Sequence, residues 1–138
     1  MRICIFGAGA IGGLLATKFA FAGEDVTVID HDQRHLAALE HNGIKLQTPD
    51  SSVQTAKVKT VDRAGHAGRH DLVVLAVKAQ SLKEIANDIQ LLLDPEAIVM
   101  TVQNGIPWWY FQRHGGKFDG GSLQSLDPDG ALHKSIEV

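Results

Sequence analysis

The stretch that decides the fold is "ICIFGAGAIGGLLA", residues 3–16. Residues 2–6 are a short apolar run with β-branched side chains, which predicts a buried strand that ends at Gly7. Residues 10–22 then predict a helix, and Gly23 stands where a helix commonly ends. The apolar residues expected on one face of this helix are spaced by three and four positions: Ile11, Leu14, Leu15 and Phe19.

Three glycines between this strand and this helix match the pattern G-x-G-x-x-G. In that context Gly7 permits a tight turn, Gly9 lets a pyrophosphate approach the backbone, and Gly12 lets the helix pack against the strand. Free N–H groups at the start of the helix favour an anion. A glycine corner without a ligand is the alternative. The pattern predicts a cofactor-binding turn formed by Gly7, Ala8, Gly9, Ala10, Ile11 and Gly12.

An aspartate ends the second apolar run, "VTVID", 18 residues after Gly12. A carboxylate at this place accepts hydrogen bonds from the adenosine ribose and repels a 2′-phosphate, so Asp30 favours NAD over NADP. The alternative is an aspartate that caps a helix or faces solvent. His31 and Arg34 lie close by in sequence, and a basic group there can accept the extra phosphate.

Strand and helix patterns alternate along the rest of the chain. The central apolar runs are continuous, as in strands covered on both faces, which predicts a Rossmann-type, doubly wound, mostly parallel α/β sheet. We expect residues 1–138 to form one NAD(P)-binding domain of a longer protein, with 115–130 as a loop and 135–138 as the start of a strand. The other expected strands are 26–30, 44–47, 56–61, 72–77 and 97–102, and the other expected helices are 33–41, capped by Asp32, and 81–93.

Two further residues follow predicted strands and are expected at the sheet edge where ligands bind. Lys78 follows "LVVLAV" and offers a cation to a ribose hydroxyl, a carboxylate or a carbonyl. Asn104 follows "AIVMTVQ" and offers a donor and an acceptor. A solvated lysine and a plain Asn-Gly turn are the alternatives. The aromatic residues 108–111 are expected to anchor packing or to form a surface for the rest of the protein.

The composition argues against several classes of partner. The net charge is −3, so no basic nucleic-acid surface or polybasic membrane patch is expected, and no apolar stretch is long enough for a membrane span. The lone Cys4 argues against a disulfide framework and favours the cytoplasm. The seven histidines, including His31 and His35, lack an accompanying acid or cysteine cluster, so we expect them to be solvated and predict no metal site.

Three stretches together resemble one family. "IFGAGAIGG" at 5–13, "LAVKAQSL" at 75–82 and "VQNGIPWWYF" at 102–111 are similar to the N-terminal domain of the ketopantoate reductases (2-dehydropantoate 2-reductases), and the resemblance covers essentially the whole chain. It implies NADPH-dependent reduction of a 2-oxo acid to a 2-hydroxy acid, in pantothenate biosynthesis. It also implies that Lys78 and Asn104 lie near the nicotinamide ribose and the substrate, and that Gln103 lines the cofactor crevice.

Two departures from that family bear on these expectations. Family members carry a basic residue after the second strand, where this chain has Asp30, so NADP and NAD both stay open. The family's catalytic lysine and a substrate-binding glutamate belong to a helical C-terminal domain, so the chain alone is expected to be inactive. The full-length protein, with a homodimer as one possible state, would act on a small 2-oxo acid. A non-catalytic NAD-binding regulatory domain and another 2-hydroxy-acid dehydrogenase are the alternatives.

Overall fold

The computed structural model describes residues 1–136. A central sheet joins five strands, each parallel to its neighbours. In spatial order these strands are Lys59–Val61 (β5), Asp25–Ile29 (β2), Arg2–Phe6 (β1), His70–Leu75 (β6) and Leu93–Thr101 (β7). Ile44–Gln47 (β3) and Val53–Ala56 (β4) form a separate antiparallel hairpin. The helices are Ala10–Phe21 (α1), Gln33–Asn42 (α2), Leu82–Leu92 (α3) and Ala131–Ser135 (α4).

Apolar clusters cover both faces of the sheet. Alternate residues of β1 point to opposite faces: Ile3 and Ile5 belong to a cluster with Ala16 of α1, and Cys4 and Phe6 belong to a cluster with α3 and α4. Apolar side chains are therefore buried on both faces, which is why residues 3–6 of β1 and 72–75 of β6 are apolar at every position. The predicted doubly wound, parallel α/β fold is confirmed.

Cys4 lies at the centre of this sheet and is a free, fully buried thiol. Burial raises its pKa to about 12, because the thiolate would lose its hydration in an apolar environment. The side chain is neutral at physiological pH and packs as a small apolar residue.

The prediction for the buried face of α1 is wrong for two of its four residues, whereas Leu15 and Phe19 are partly buried against the cluster of Ile3 and Ile5. Ile11 and Leu14 are exposed, and the buried residues of the helix are Gly12, Gly13, Ala16 and Thr17. The helix lies so close to the strands that only small side chains fit between them. Because the helix is apolar nearly all round, an apolar spacing of three and four did not separate its buried residues from its exposed ones.

Two other expected elements differ from the structure. The expected strand 56–61 is divided between β4, which ends at Ala56 in the hairpin, and β5, which begins at Lys59 in the main sheet. The expected loop 115–130 contains a short 3-10 helix at Gly116–Phe118. Of the strand expected over 135–138, Ser135 belongs to α4 and Ile136 is extended, while 137 and 138 lie outside the described residues.

Helix α4 was missed because a buried aspartate supports it. The carboxylate of Asp127 accepts the N–H groups of Leu132 and His133, each at 3.0 Å, and Leu132 is fully buried. Five residues do not form a stable helix alone, so this cap and the apolar contact are required. Within residues 1–136, no helix is both long and apolar enough to cross a membrane.

We predict that His70 makes stability depend on pH. His70 at the start of β6 is 4% exposed, and burial lowers its pKa below the usual 6.5. The unfolded chain therefore binds this proton more readily than the folded chain. The stability from neutral His70 is complete above the unfolded pKa and is lost as the pH falls through the window between the two values.

The measurement is the free energy of unfolding by denaturant at pH 8 and pH 5.5, above the range in which carboxylates titrate. His70→Gln is expected to reduce the loss of stability at pH 5.5. His133→Gln, at an exposed position on α4, should leave that loss unchanged. Equal pH dependence in the wild type and His70→Gln would contradict the assignment.

Candidate cofactor-binding site

The carboxyl ends of the central strands meet at one edge, and backbone hydrogen bonds align the turns that follow them. The N–H of Gly7 donates to the carbonyl of Ile29 at 2.8 Å, and the N–H of Ala76 donates to Phe6 at 2.9 Å. Val102 donates to the carbonyl of Leu75 at 3.3 Å. The segments after β1, β2, β6 and β7 are therefore neighbours, at the edge where open parallel sheets bind ligands.

Each of the three glycines in the turn after β1 has a distinct steric environment. Gly7 has φ +103°, which side-chain-bearing residues rarely adopt. A Cβ on Gly12 would lie 1.9 Å from the carbonyl oxygen of Gly7, so the helix and the turn touch there through backbone alone. A Cβ on Gly9 would meet no heavy atom within 4 Å. Gly7 and Gly12 are thus required by the fold, whereas Gly9 faces open space.

The start of α1 offers backbone donors beside that open space. Gly13 donates to Gly9 at 2.7 Å and is the first N–H in the ladder of the helix, so the N–H groups of Ala10, Ile11 and Gly12 precede it. No side chain among residues 1–136 caps this helix. Unpaired N–H groups, the positive end of the helix dipole and the missing side chain at Gly9 together fit a pyrophosphate.

The carboxylate of Asp30 links the end of β2 to the glycine turn. One oxygen accepts the N–H of Ala8 at 2.9 Å, and the other accepts the N–H of Asp32 at 3.0 Å. Its side chain is 15% exposed, so Asp30 is not a solvated aspartate. Capping of α2 belongs instead to Asp32, which accepts from Arg34 and His35 at 2.9 and 3.2 Å. Each Asp30 oxygen retains a lone pair for a further donor.

His35 is a residue of this site that the sequence analysis missed. Its Nε2 lies 3.2 Å from the carbonyl oxygen of Ala8, and the ring is half-buried, so the prediction that it is solvated is wrong. His31 is fully exposed, as expected. Asp30 and His35 thus hold both backbone polar groups of Ala8. One feature of the sequence could have indicated the role of His35. The predicted helix 33–41 follows the second strand and so starts at the same sheet edge as the glycine turn.

The remaining site residues follow β6 and β7. The side-chain amide of Gln103 donates to the carbonyl of Leu75 at 2.9 Å and so joins the ends of these two strands. A Cβ on Gly7 would lie 3.0 Å from Val77, which places the neighbouring Lys78 beside the glycine turn. Lys78 and Asn104 are exposed at this edge, and neither side chain is hydrogen-bonded to a described residue.

Two cavities adjoin β7. The inner cavity, of about 290 Å³, lies at the carboxyl ends of β6 and β7 and includes Asn104 in its lining. The outer cavity, of about 950 Å³, lies along β7 and is lined in part by Asp94, Glu96, Arg113 and Lys134. Trp108 and Trp109 line both cavities and separate them.

The parallel sheet, its two apolar faces and the glycine turn define a Rossmann-type α/β domain. The model of the family described as ketopantoate reductase PanE/ApbA matches residues 3–107. The chain belongs to this family.

Two known relatives match nearly the whole of this chain. The 2-dehydropantoate 2-reductase of Mesorhizobium japonicum is 44% identical over 136 residues, which are 99% of this chain and 41% of the relative. A crystal structure of a protein assigned as a ketopantoate reductase in Ralstonia solanacearum MolK2 has a TM-score of 0.90 at 40% identity, over 99% of this chain and 41% of that protein. The chain spans about two fifths of the length of these relatives.

A third relative carries a bound cofactor. The ternary structure of D-mandelate dehydrogenase with NADH and anilino(oxo)acetate matches with a TM-score of 0.70 at 29% identity. That match covers 77% of this chain and 34% of the dehydrogenase.

Alanine substitutions at Gly12 and Gly9 are predicted to have opposite consequences. Gly12→Ala forces a methyl group against the carbonyl of Gly7 and is expected to lower the free energy of unfolding by about 3 kcal/mol. Gly9→Ala meets no atom, so stability should change by less than about 1 kcal/mol, while affinity for a dinucleotide falls at least about ten-fold.

Denaturant unfolding and the fluorescence of NADH on titration provide the two measurements. Gly9→Ala is the matched control for the loss of stability in Gly12→Ala, because it adds the same methyl group to the same turn without meeting an atom. A Gly9→Ala variant that binds the dinucleotide as tightly as the wild type would show that nothing approaches the turn.

Proposed function

We propose that this chain is the NAD(P)-binding domain of an oxidoreductase that reduces a 2-oxo acid to a 2-hydroxy acid, as 2-dehydropantoate 2-reductases do. The observation that carries the proposal is the open approach to Gly9 at the start of α1, beside Asp30 and on the same sheet edge as Lys78 and Asn104. Family membership supports it. In this proposal residues 1–138 are one domain, and the helical remainder supplies the catalytic lysine and a substrate-binding glutamate.

Each residue of the edge has a defined task in the proposed reaction. The N–H groups at the start of α1 bind the pyrophosphate, and Asp30 accepts from the adenosine ribose hydroxyls. The nicotinamide, when bound, supplies the hydride. The ammonium of Lys78 and the amide of Asn104 orient the ribose and the substrate oxygens, since both side chains are exposed and free of other partners among the described residues.

The charge of Asp30 supports NADH as the preferred cofactor. A carboxylate held in place by Ala8 and Asp32 repels a 2′-phosphate and cannot turn away without losing both hydrogen bonds. The D-mandelate dehydrogenase relative binds NADH, which agrees with this preference. The resemblance to NADPH-dependent reductases and the exposed His31 and Arg34 favour NADPH instead, so the affinities for the two cofactors need direct comparison.

We predict that the chain binds NADH more tightly than NADPH and that Asp30→Asn reduces this preference about ten-fold, equivalent to about 1.4 kcal/mol. Asparagine keeps an oxygen that can accept from Ala8 but removes the charge. The measurement is a fluorescence titration with each cofactor.

Asp25→Asn is the matched control, because Asp25 begins β2 at the opposite edge of the sheet and loses the same charge. It should leave the ratio of the two affinities unchanged. NADPH affinity ten-fold above that of NADH in the wild type would refute the role given to Asp30.

A second candidate is another 2-hydroxy-acid dehydrogenase, and the similarity to D-mandelate dehydrogenase favours it as an alternative to the pantoate reaction. Both candidates use the same cofactor chemistry and differ only in the 2-oxo acid. The regulatory-domain alternative receives no support from the family match. The free, buried Cys4 supports the further proposal of a cytoplasmic location.

A chimera that joins residues 1–138 to the remainder of the Mesorhizobium japonicum relative tests whether this chain binds the cofactor and the remainder supplies the catalytic groups. We expect the chain alone to bind NADH without oxidising it when 2-dehydropantoate is added, and the chimera to oxidise it. Lys78→Met in the chimera should lower kcat/KM by about 100-fold, since it removes the cation proposed to orient the ribose and the substrate oxygens.

Lys117→Met, in the exposed loop after β7, is the control and should leave kcat/KM unchanged. Absorbance at the wavelength of NADH follows the reaction. Turnover by the chain alone would contradict the assignment of catalytic groups to another domain.

A further inference from the structure

The inner cavity runs from the cofactor edge into the apolar core. Its lining includes Asn104, which is exposed, and Leu82 and Trp108, which are 5% and 4% exposed. It therefore opens beside the residues proposed to orient the substrate and closes on the cluster that packs α3 against the sheet.

Among residues 1–136, no charged side chain contributes to the lining of the inner cavity. Its apolar walls come from two sides: Ala79 and Leu82 before and within α3, and Trp108, Trp109 and Leu126 from the segment after β7. Thr101, Gln103 and Asn104 add polar, uncharged side chains to the lining. The outer cavity differs, because acidic and basic side chains contribute to its lining. A charged group that entered the inner cavity would lose its hydration without gaining an ion pair. The cavity therefore favours an uncharged group.

The segment after β7 supplies the distinctive part of this wall. The family model ends its match at Pro107, directly before Trp108, Trp109 and Leu126. The Mesorhizobium relative matches 136 residues of the chain and so includes this segment. This part of the wall therefore lies outside the region that the family model matches.

We propose that the inner cavity is a specificity pocket for the uncharged, branched or aromatic substituent of the 2-oxo acid, and that Trp108 and Trp109 are its specificity-determining residues. This inference rests on the proposed function. The carboxylate and the keto group stay at the exposed edge with Lys78 and Asn104, and the substituent points inward. A hydrophobic pocket of this kind discriminates by about 10- to 200-fold per methylene group.

The two tryptophans of the chain provide a direct readout, since both lie in this wall. The indole N–H signals of Trp108 and Trp109 are followed by ¹H–¹⁵N NMR in the chimera, which contains the proposed substrate-binding glutamate, at saturating NAD⁺, which donates no hydride. We expect 4-methyl-2-oxopentanoate to shift both signals with an affinity at least about ten-fold above that of pyruvate. We expect 2-oxoglutarate, which places a charge on the substituent, to bind no better than pyruvate.

Ala79→Leu fills the inner cavity and should reduce the affinity for 4-methyl-2-oxopentanoate to that for pyruvate. Ala97→Leu is the matched control, because Ala97 lines the outer cavity and receives the same added volume. It should leave both affinities unchanged. The affinities of the wild type for the three acids test the proposal even if either variant fails to fold.

Equal affinity for pyruvate and 4-methyl-2-oxopentanoate would overturn the proposal. The proposal would also be overturned if Ala97→Leu lost the preference for 4-methyl-2-oxopentanoate over pyruvate and Ala79→Leu kept it. That result would place the acid in the outer cavity. An NADH titration of the same samples distinguishes a failure of the specificity pocket from a failure of the proposed function. A chain that binds NADH without preference among the acids contradicts the specificity pocket alone, and a chain that binds no NADH contradicts the proposed function.

Discussion

The contact between Gly12 and the carbonyl oxygen of Gly7 constrains the whole cofactor edge. A Cβ on Gly12 would lie 1.9 Å from that oxygen, so the helix and the turn meet through backbone atoms only. This close approach requires small residues along the buried side of α1 and explains why Ile11 and Leu14 face outward. The same contact places the start of α1 at the sheet edge where the other site residues lie.

Polar groups from separate segments then hold the turn in place. Asp30 accepts the N–H of Ala8, and His35 contacts its carbonyl, so one residue of the turn is held from both β2 and α2. Gln103 joins the ends of β6 and β7 in a similar way. A site built from such backbone anchors is organised before a ligand arrives, which reduces the ordering cost of binding.

The accuracy of the sequence analysis follows the range of the interactions involved. The glycine turn, the central strands and the cap by Asp32 depend on neighbouring residues, and the structure shows all three. The buried face of α1, the division of residues 56–61 between two sheets, and α4 depend on contacts between distant segments. Those elements were wrong or missed because local periodicity carries no information about which neighbour packs against them.

Local chemistry alone was enough to specify the dinucleotide-type turn, because a tight turn, a close helix and an approachable backbone each require glycine at one position. The apolar runs were likewise enough to specify strands covered on both faces. Tertiary packing alone assigned His35 to the turn and formed an uncharged cavity behind Asn104 from Ala79, Trp108 and Leu126. The physical reason is that the hydrogen bond of His35 and the walls of the cavity join segments far apart in the chain, and their distances exist only after the sheet has assembled.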